Sequence, residues 1–274
     1  MKKRTYWFIT LIIVSSWSCK PQNKESNVAD MPESKTEDKA NYDHIPAELL
    51  AGLDAHGGVE TWKKYGKLSY DLTKRGSSEQ LVTDLHSRKV LLTMSDYKIG
   101  YDGQNVWISP DKEAMGGGSP RFYHNLNFYF FAVPFVFADE GINYEILPAR
   151  EIGGKLYDAV KISYNEGVGD ASGDYYVAHF DQETHQLYLL LYTVTYFSGE
   201  SHENYNALIY QEWQNVGGLL VPKMIQGYKY ADGEIGEQRY EARFENVVFE
   251  ENPPDPLQFA MPENAEIDSL KVDV

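Results

Sequence analysis

From Leu68 onward, apolar and polar residues alternate along most of the chain. Leu68, Tyr70 and Leu72 are separated by Ser69 and Asp71, the two-residue period of a strand with one buried face. Similar patterns run over 80–86, 89–94, 97–101, 105–109, 144–150, 155–164, 175–180, 186–197, 207–213, 219–230 and 237–249. Short turn signals separate several of them: Asp102-Gly103, Gly153-Gly154, 181–184, Gly217-Gly218 and Asp232-Gly233. Consecutive hairpins predict an antiparallel meander rather than a parallel α/β sheet. Strands this long suit a large, strongly curved sheet, whose concave side must be filled.

Two stretches depart from the strand period. At the start, Pro46 sits at a first-turn position and Leu49, Leu50 and Leu53 share one side, which predicts a helix stopped by Gly57-Gly58. A short second turn carries Val59 and Trp62, and His56 beside the glycines reads as a cap or packing residue. The second departure is 119–138. It holds eight aromatics between Phe122 and Phe137, including six of the twelve phenylalanines in the chain. Phe122, Leu126, Tyr129, Phe130 and Val133 fall on one stripe at helical spacing, with Arg121, His124, Asn125 and Asn127 on the other side. Val133 precedes a proline and is pushed out of helical geometry, so the helix breaks near 132 and Pro134 starts a last turn through Phe137. The second half is apolar all round, which predicts burial on several sides. It is too short for a membrane span, and Pro134 interrupts it.

The first 45 residues carry neither period. Residues 1–19, MKKRTYWFITLIIVSSWSC, have a basic start, a short apolar run and small residues before Cys19, the pattern of a secretory signal. Cys19 is the only cysteine, so no internal disulfide can form. Its place at the cleavage point resembles a bacterial lipoprotein signal, which predicts lipidation at Cys19 and attachment to a membrane of the cell envelope, with the outer membrane as the expected destination. Ser16 stands where such signals usually carry Leu. Residues 20–44 hold almost nothing that burial could stabilise and read as a disordered tether of roughly 25–30 Å reach. Residues 45–274 form one domain.

Charge narrows the partners. The chain has net charge −16, and losing Lys2, Lys3 and Arg4 with the leader takes it to −19. With no Lys/Arg cluster beyond the leader, nucleic acid is excluded as a partner. For chemistry, the best stretch is HFDQETH, where His179, Asp181, Glu183 and His185 alternate. On a straight strand they would share a face as a metal set. But 181–184 reads better as a turn, which scatters the side chains. In GDASGD, Asp170 and Asp174 lack the ligand count and spacing of a calcium loop and read as a hairpin loop. GGGSP lacks the Lys-Ser/Thr ending of a phosphate loop, and there is no Gly-x-Ser-x-Gly elbow. No catalytic residue, metal site or cofactor is assigned.

Several segments resemble the LolA/LolB-like family of outer-membrane lipoprotein carriers and their bacterial lipoprotein relatives. YKIGYDGQNVWISPDKE is similar to that family's strand, Asp-Gly turn and Trp-bearing strand, placing Asp102, Gly103 and Trp107. GGLLVPKMI is similar to its late Gly-apolar-Pro-Lys strand start, placing Gly218, Leu219, Val221, Pro222 and Lys223. ARFENVVFEENPPDPLQFAMPENAEI is similar to its final strand and tail, with Phe259 and Pro262, and HGGVETW is nearer to the lipoprotein relatives. The resemblance implies a β-rich α+β fold, an open antiparallel half-barrel with helices over an apolar concavity that takes acyl chains in the carriers. It implies a non-enzymatic envelope lipoprotein binding an apolar ligand such as a lipid or lipoprotein acyl chain. The residues expected to meet that ligand are Phe122, Leu126, Tyr129, Phe130, Val133 and Phe137, with Trp107 behind them. An envelope scaffold with a filled core and an unrecognised hydrolase are the alternatives. Whether the aromatic helix lines the cavity or fills it stays open.

Overall fold

A computed structural model of the chain describes residues 42–170, 173–197 and 204–269. The expected leader, Cys19 and most of the tether lie outside the described residues. Tyr42, Asp43 and His44, which composition had assigned to the tether, belong with the domain. The Tyr42 hydroxyl donates to Glu60 at 2.6 Å, and its ring packs at the edge of the core.

The domain opens with two helices, α1 (Ala47–Ala55) and α2 (Val59–Lys63). A first antiparallel meander follows: β1 (Lys67–Lys74), β2 (Ser77–Asp84), β3 (Val90–Thr93), β4 (Lys98–Tyr101) and β5 (Val106–Ser109). Two short helices, α3 (Pro120–Tyr123) and α4 (Leu126–Ala132), and a 3-10 turn at Phe135–Ala138 lead to a second meander. It comprises β6 (Ile142–Ile152), β7 (Lys155–Tyr164), β8 (Tyr176–Asp181), β9 (Leu187–Tyr192), β10 (Asn206–Val216), β11 (Leu219–Ala231) and β12 (Glu234–Glu250). A short strand, β13 (Glu266–Ile267), ends the described chain.

All the strands lie in one open sheet, in the order β13-β5-β4-β3-β2-β1-β12-β11-β10-β9-β8-β7-β6. The last long strand returns to pair with the first, Leu68 opposite Phe249, which joins the two meanders in the middle. Register shifts between Ser69 and Asp71, Leu147 and Arg150, and Tyr210 and Glu212 are bulges of the kind that bend strands and strengthen twist. The result is the expected curved, unclosed antiparallel sheet.

This topology dictates where the aromatic segment goes. β5 lies next to one edge and β6 forms the other, so the chain between them must cross the whole sheet. It crosses the face on which β1 buries Leu68, Tyr70 and Leu72. Phe131 sits at the middle of that crossing, with ring centroids 4.8 Å from Tyr70 of β1 and 5.0 Å from Phe244 of β12. The segment is greasy because it is the inner layer of the core: five of its phenylalanines, Phe128, Phe130, Phe131, Phe135 and Phe137, are 5% exposed or less. Full burial of such a side chain stabilises by about 1.5–3 kcal/mol. Among the described residues no helix is long and apolar enough to cross a membrane.

The N-terminal helices close one end of the same layer, and their HGG sequence explains how. His56 is fully buried at the end of α1. Its Nε2 accepts from the Leu187 amide at 3.1 Å, which leaves Nδ1 protonated and donating to the Leu220 carbonyl at 2.8 Å. Burial lowers its pKa to about 4. Gly57 (φ +108°) passes so close to the β10–β11 turn that a Cβ would lie 2.3 Å from the Gly218 carbonyl oxygen. Trp62 of α2 then stacks on Phe135 with centroids 4.7 Å apart.

Candidate functional site

The aromatic segment both fills the core and lines an opening, with the two roles interleaved along it. Ser119 caps α3, its hydroxyl accepting from the Phe122 amide, and Pro120 occupies the first turn. The helix is interrupted at His124-Asn125, a break that the helical stripe does not predict, and resumes as α4. Val133 is extended (φ −67°, ψ 134°) before Pro134, where the expected break falls. Beyond it, Phe135 is enclosed under Trp62 and His56 of the N-terminal segment, Phe137 is fully buried, and the Phe137 carbonyl accepts from the Tyr144 hydroxyl at 2.6 Å. Before it, Phe122, Tyr129 and Phe130 turn toward an opening, while Phe128 and Phe131 stay in the core.

That opening is a cavity of about 360 Å³ between α3–α4 and strands β6–β8. Phe122, Leu126, Tyr129 and Phe130 form one wall; Ile142, Tyr164 and Tyr176 form the other. The rings are mutually braced: Tyr129 lies 5.2 Å from Tyr176, Phe122 lies 5.2 Å from Tyr196, and the Tyr129 and Tyr164 hydroxyls share a hydrogen bond. Burial raises the pKa of Tyr164 and Tyr176, so these two rings stay uncharged across the physiological range.

Charge sits at the mouth and at one inner corner. Arg121 pairs with Asp170 at 2.8 Å, and Asp139 pairs with Arg88 at 2.6 Å. Glu140 is exposed beside them. Asp174 is inside, 8% exposed, with Oδ1 accepting from the Thr195 amide at 2.6 Å; burial raises its pKa, and that hydrogen bond lowers it in part. His124 also borders the cavity and burial lowers its pKa.

Of the residues expected to meet a ligand, the structure brings together Phe122, Leu126, Tyr129 and Phe130 around the cavity. Val133 and Phe137 do not line it: both are buried in the main core, where Phe137 backs the wall 5.8 Å from Tyr176. Trp107 requires correction. Val106 and Ile108 face the main core, and strand alternation turns Trp107 to the other face of the sheet. There its Nε1 donates to the Phe259 carbonyl at 3.1 Å under the C-terminal tail. Tyr164, Tyr176 and Asp174 were missed, because nothing local marks which strand faces the segment. In the sequence, Asp170 and Asp174 read only as members of a polar loop.

The polar motifs resolve into structural roles. In HFDQETH, β8 ends at Asp181, whose Oδ1 accepts from the Glu183 and Thr184 amides at 2.9 Å, and His185 completes the turn at φ +57°. His179 is buried on the strand beside the Leu189 carbonyl. No group of three His, Cys, Asp or Glu side chains converges on a metal-sized site among the described residues. A second buried polar cluster docks α3 and α4 onto the sheet. Glu79 of β2 accepts from the Tyr123 hydroxyl at 2.7 Å and from Asn127 at 2.9 Å, while Lys74 donates to Asn127 at 3.1 Å. Burial raises the pKa of Glu79 and brings that of Lys74 down to about 8.

No protein-family model matches the sequence, and neither does any curated protein. Solved structures similar to the chain include a LolA superfamily protein from Nitrosomonas europaea, at 9% identity and a TM-score of 0.45, covering 74% of this chain and 96% of that one. The chain is similar to LolA-superfamily proteins. A DUF1329 family protein from Desulfovibrio piger is 13% identical with a TM-score of 0.44, covering 74% of this chain and 93% of that one. A putative outer membrane lipoprotein-sorting protein domain from Vibrio parahaemolyticus is 10% identical with a TM-score of 0.41, covering 79% and 96%. At these scores and identities, the contents of the cavity have to be inferred from its own residues.

Proposed function

We propose that the chain is an envelope lipoprotein, anchored through Cys19, that binds an apolar ligand such as a lipid or acyl chain without covalent chemistry. One observation carries this reading: the segment crossing the sheet does not fill its whole length, and leaves a cavity of about 360 Å³ walled by Phe122, Leu126, Tyr129 and Phe130. That volume is at the lower end of the roughly 300–1,000 Å³ of ligand clefts. A chain placing about eight methylenes there gains about 6 kcal/mol from burial, at about 0.8 kcal/mol each, before the cost of ordering it. The walls offer no nucleophile with a positioned base, so binding by shape and burial is the chemistry that they support.

Native mass spectrometry of the full chain purified from its membrane tests the proposal. The expected result is a lipid-sized adduct that disappears on delipidation and is absent from Leu126→Trp. Leu126 lines the cavity and is only partly buried, so an indole there occupies the opening without displacing core. If the wild-type chain carries no adduct and takes up no added long-chain probe, the protein is a scaffold with a filled core.

A further inference from the structure

We infer that the cavity selects its amphiphile by head-group charge, taking a cationic head in preference to an anionic one on the same chain. The inference rests on the reading of the cavity as an apolar-ligand site and adds what that ligand carries at its polar end. One arginine, Arg121, borders the cavity against four carboxylates: Asp139, Glu140, Asp170 and Asp174. Arg121 is paired with Asp170 at 2.8 Å and its side chain is only 15% exposed; its Nε is buried without a hydrogen-bond partner, but the pair as a whole carries no net charge to offer an anionic head. Arg88 offsets Asp139 at 2.6 Å from outside the lining. Glu140 and Asp174 have no cationic partner in an ion pair among the described residues, and Asp174 is held inside the cavity at 8% exposure.

The placement of these groups matters as much as their number. They come from two segments that border the cavity and meet where the Asn165 amide donates to the Gly141 carbonyl at 2.9 Å: Asp139-Glu140, directly after the 3-10 turn, and Asp170 with Asp174, from the β7–β8 connection. An amphiphile whose tail lies against Phe122, Leu126 and Phe130 therefore brings its head near them. Behind the mouth stand the rings of Tyr129, Tyr164 and Tyr176, whose faces attract a cation and do nothing for a carboxylate. An anionic head would give up its water to face that like charge, where the exclusion of water makes the repulsion stronger than in solution.

The test is isothermal titration of the full chain carrying Cys19→Ser with three ten-carbon amphiphiles below their micellar concentrations. These are decyltrimethylammonium, decyl maltoside and decanoate, at pH 7.5 and low salt. The expected order of affinity is cation, then neutral, then anion, with at least a tenfold gap between the first and last, and with the gap narrowing as salt is raised. Asp170→Asn removes one carboxylate and leaves Arg121 without its ion-pair partner, so the cation-to-anion ratio should fall severalfold. Decanoate binding as tightly as the ammonium, with all three bound, overturns charge selection and leaves the apolar site standing. Failure of all three to bind overturns the site itself.

Discussion

Replacing His56 by leucine removes a side chain that joins α1 to two separate strands, and the loss can be worked from its bonds. The Leu187 amide and the Leu220 carbonyl each lose a buried partner. An orphaned buried group costs about 1–3 kcal/mol, and leucine regains a little apolar packing, so His56→Leu should lower stability by about 3 kcal/mol at pH 7.5. The same substitution has a second signature. His56 titrates at about 4 in the folded chain and near 6.5 when unfolded. Below pH 6.5 the unfolded chain binds a proton that the folded chain refuses, so the stability contributed by neutral His56 is complete above pH 6.5 and is lost as pH falls toward 4. His179 is also lowered to about 4 by burial and follows the same course.

Urea unfolding at pH 7.5 and pH 5.5, followed by tryptophan fluorescence, separates the two effects while staying above the isoelectric point of about 4.8. Across that interval the wild-type chain should lose about 1.4 kcal/mol through His56, on top of a matching loss through His179 that the variant shares. The gap between wild type and variant should therefore shrink from about 3 to about 1.6 kcal/mol. An equal gap at both pH values would mean that His56 is not buried as the neutral tautomer. A gap below about 1 kcal/mol at pH 7.5 would mean that its two bonds do not form.

Two further substitutions probe the frame around the cavity. Gly57→Ala places a methyl 2.3 Å from the Gly218 carbonyl oxygen at a positive φ; it should cost more than about 2 kcal/mol in urea unfolding. Gly153→Ala (φ +59°) has open space around the new carbon, so it should cost about 1 kcal/mol. Trp107→Phe should lower stability by about 1–2 kcal/mol through the unpaired Phe259 carbonyl, yet leave amphiphile affinity unchanged, because Trp107 is on the other face of the sheet. A weakened affinity in that variant would contradict this placement.

The period of the chain made the sheet legible because each hairpin is a local event: apolar alternation, a Gly- or Asp-bearing turn, alternation again. The match is close where both signals are strong, as at β7, and poorer where one is weak. The pattern over 186–197 runs past Tyr192, where β9 ends, because nothing apolar or polar in Thr193–Phe197 marks the departure from the sheet. The order of strands was not legible. That β12 returns to pair with β1 depends on a contact between residues nearly two hundred positions apart, Lys67 and Glu250, and no local pattern encodes it.

The same distinction explains the site. Phe122, Leu126, Tyr129 and Phe130 can be grouped from the sequence because they are neighbours on one short segment with a helical period. Their opposite wall was not, because Ile142, Tyr164 and Tyr176 become neighbours only after three strands have stacked at the edge that the segment reaches. Trp107 shows the converse error: a large aromatic in the right strand was assigned to the ligand by type, when Val106 and Ile108 on either side of it had already taken the inner face. Whether aromatics line or fill was therefore never a property of their composition. Direction decides it: Phe131 points to Tyr70 of β1 and Phe244 of β12 and fills the core, while Phe122, Leu126, Tyr129 and Phe130, on the same segment, border the cavity beside β6–β8.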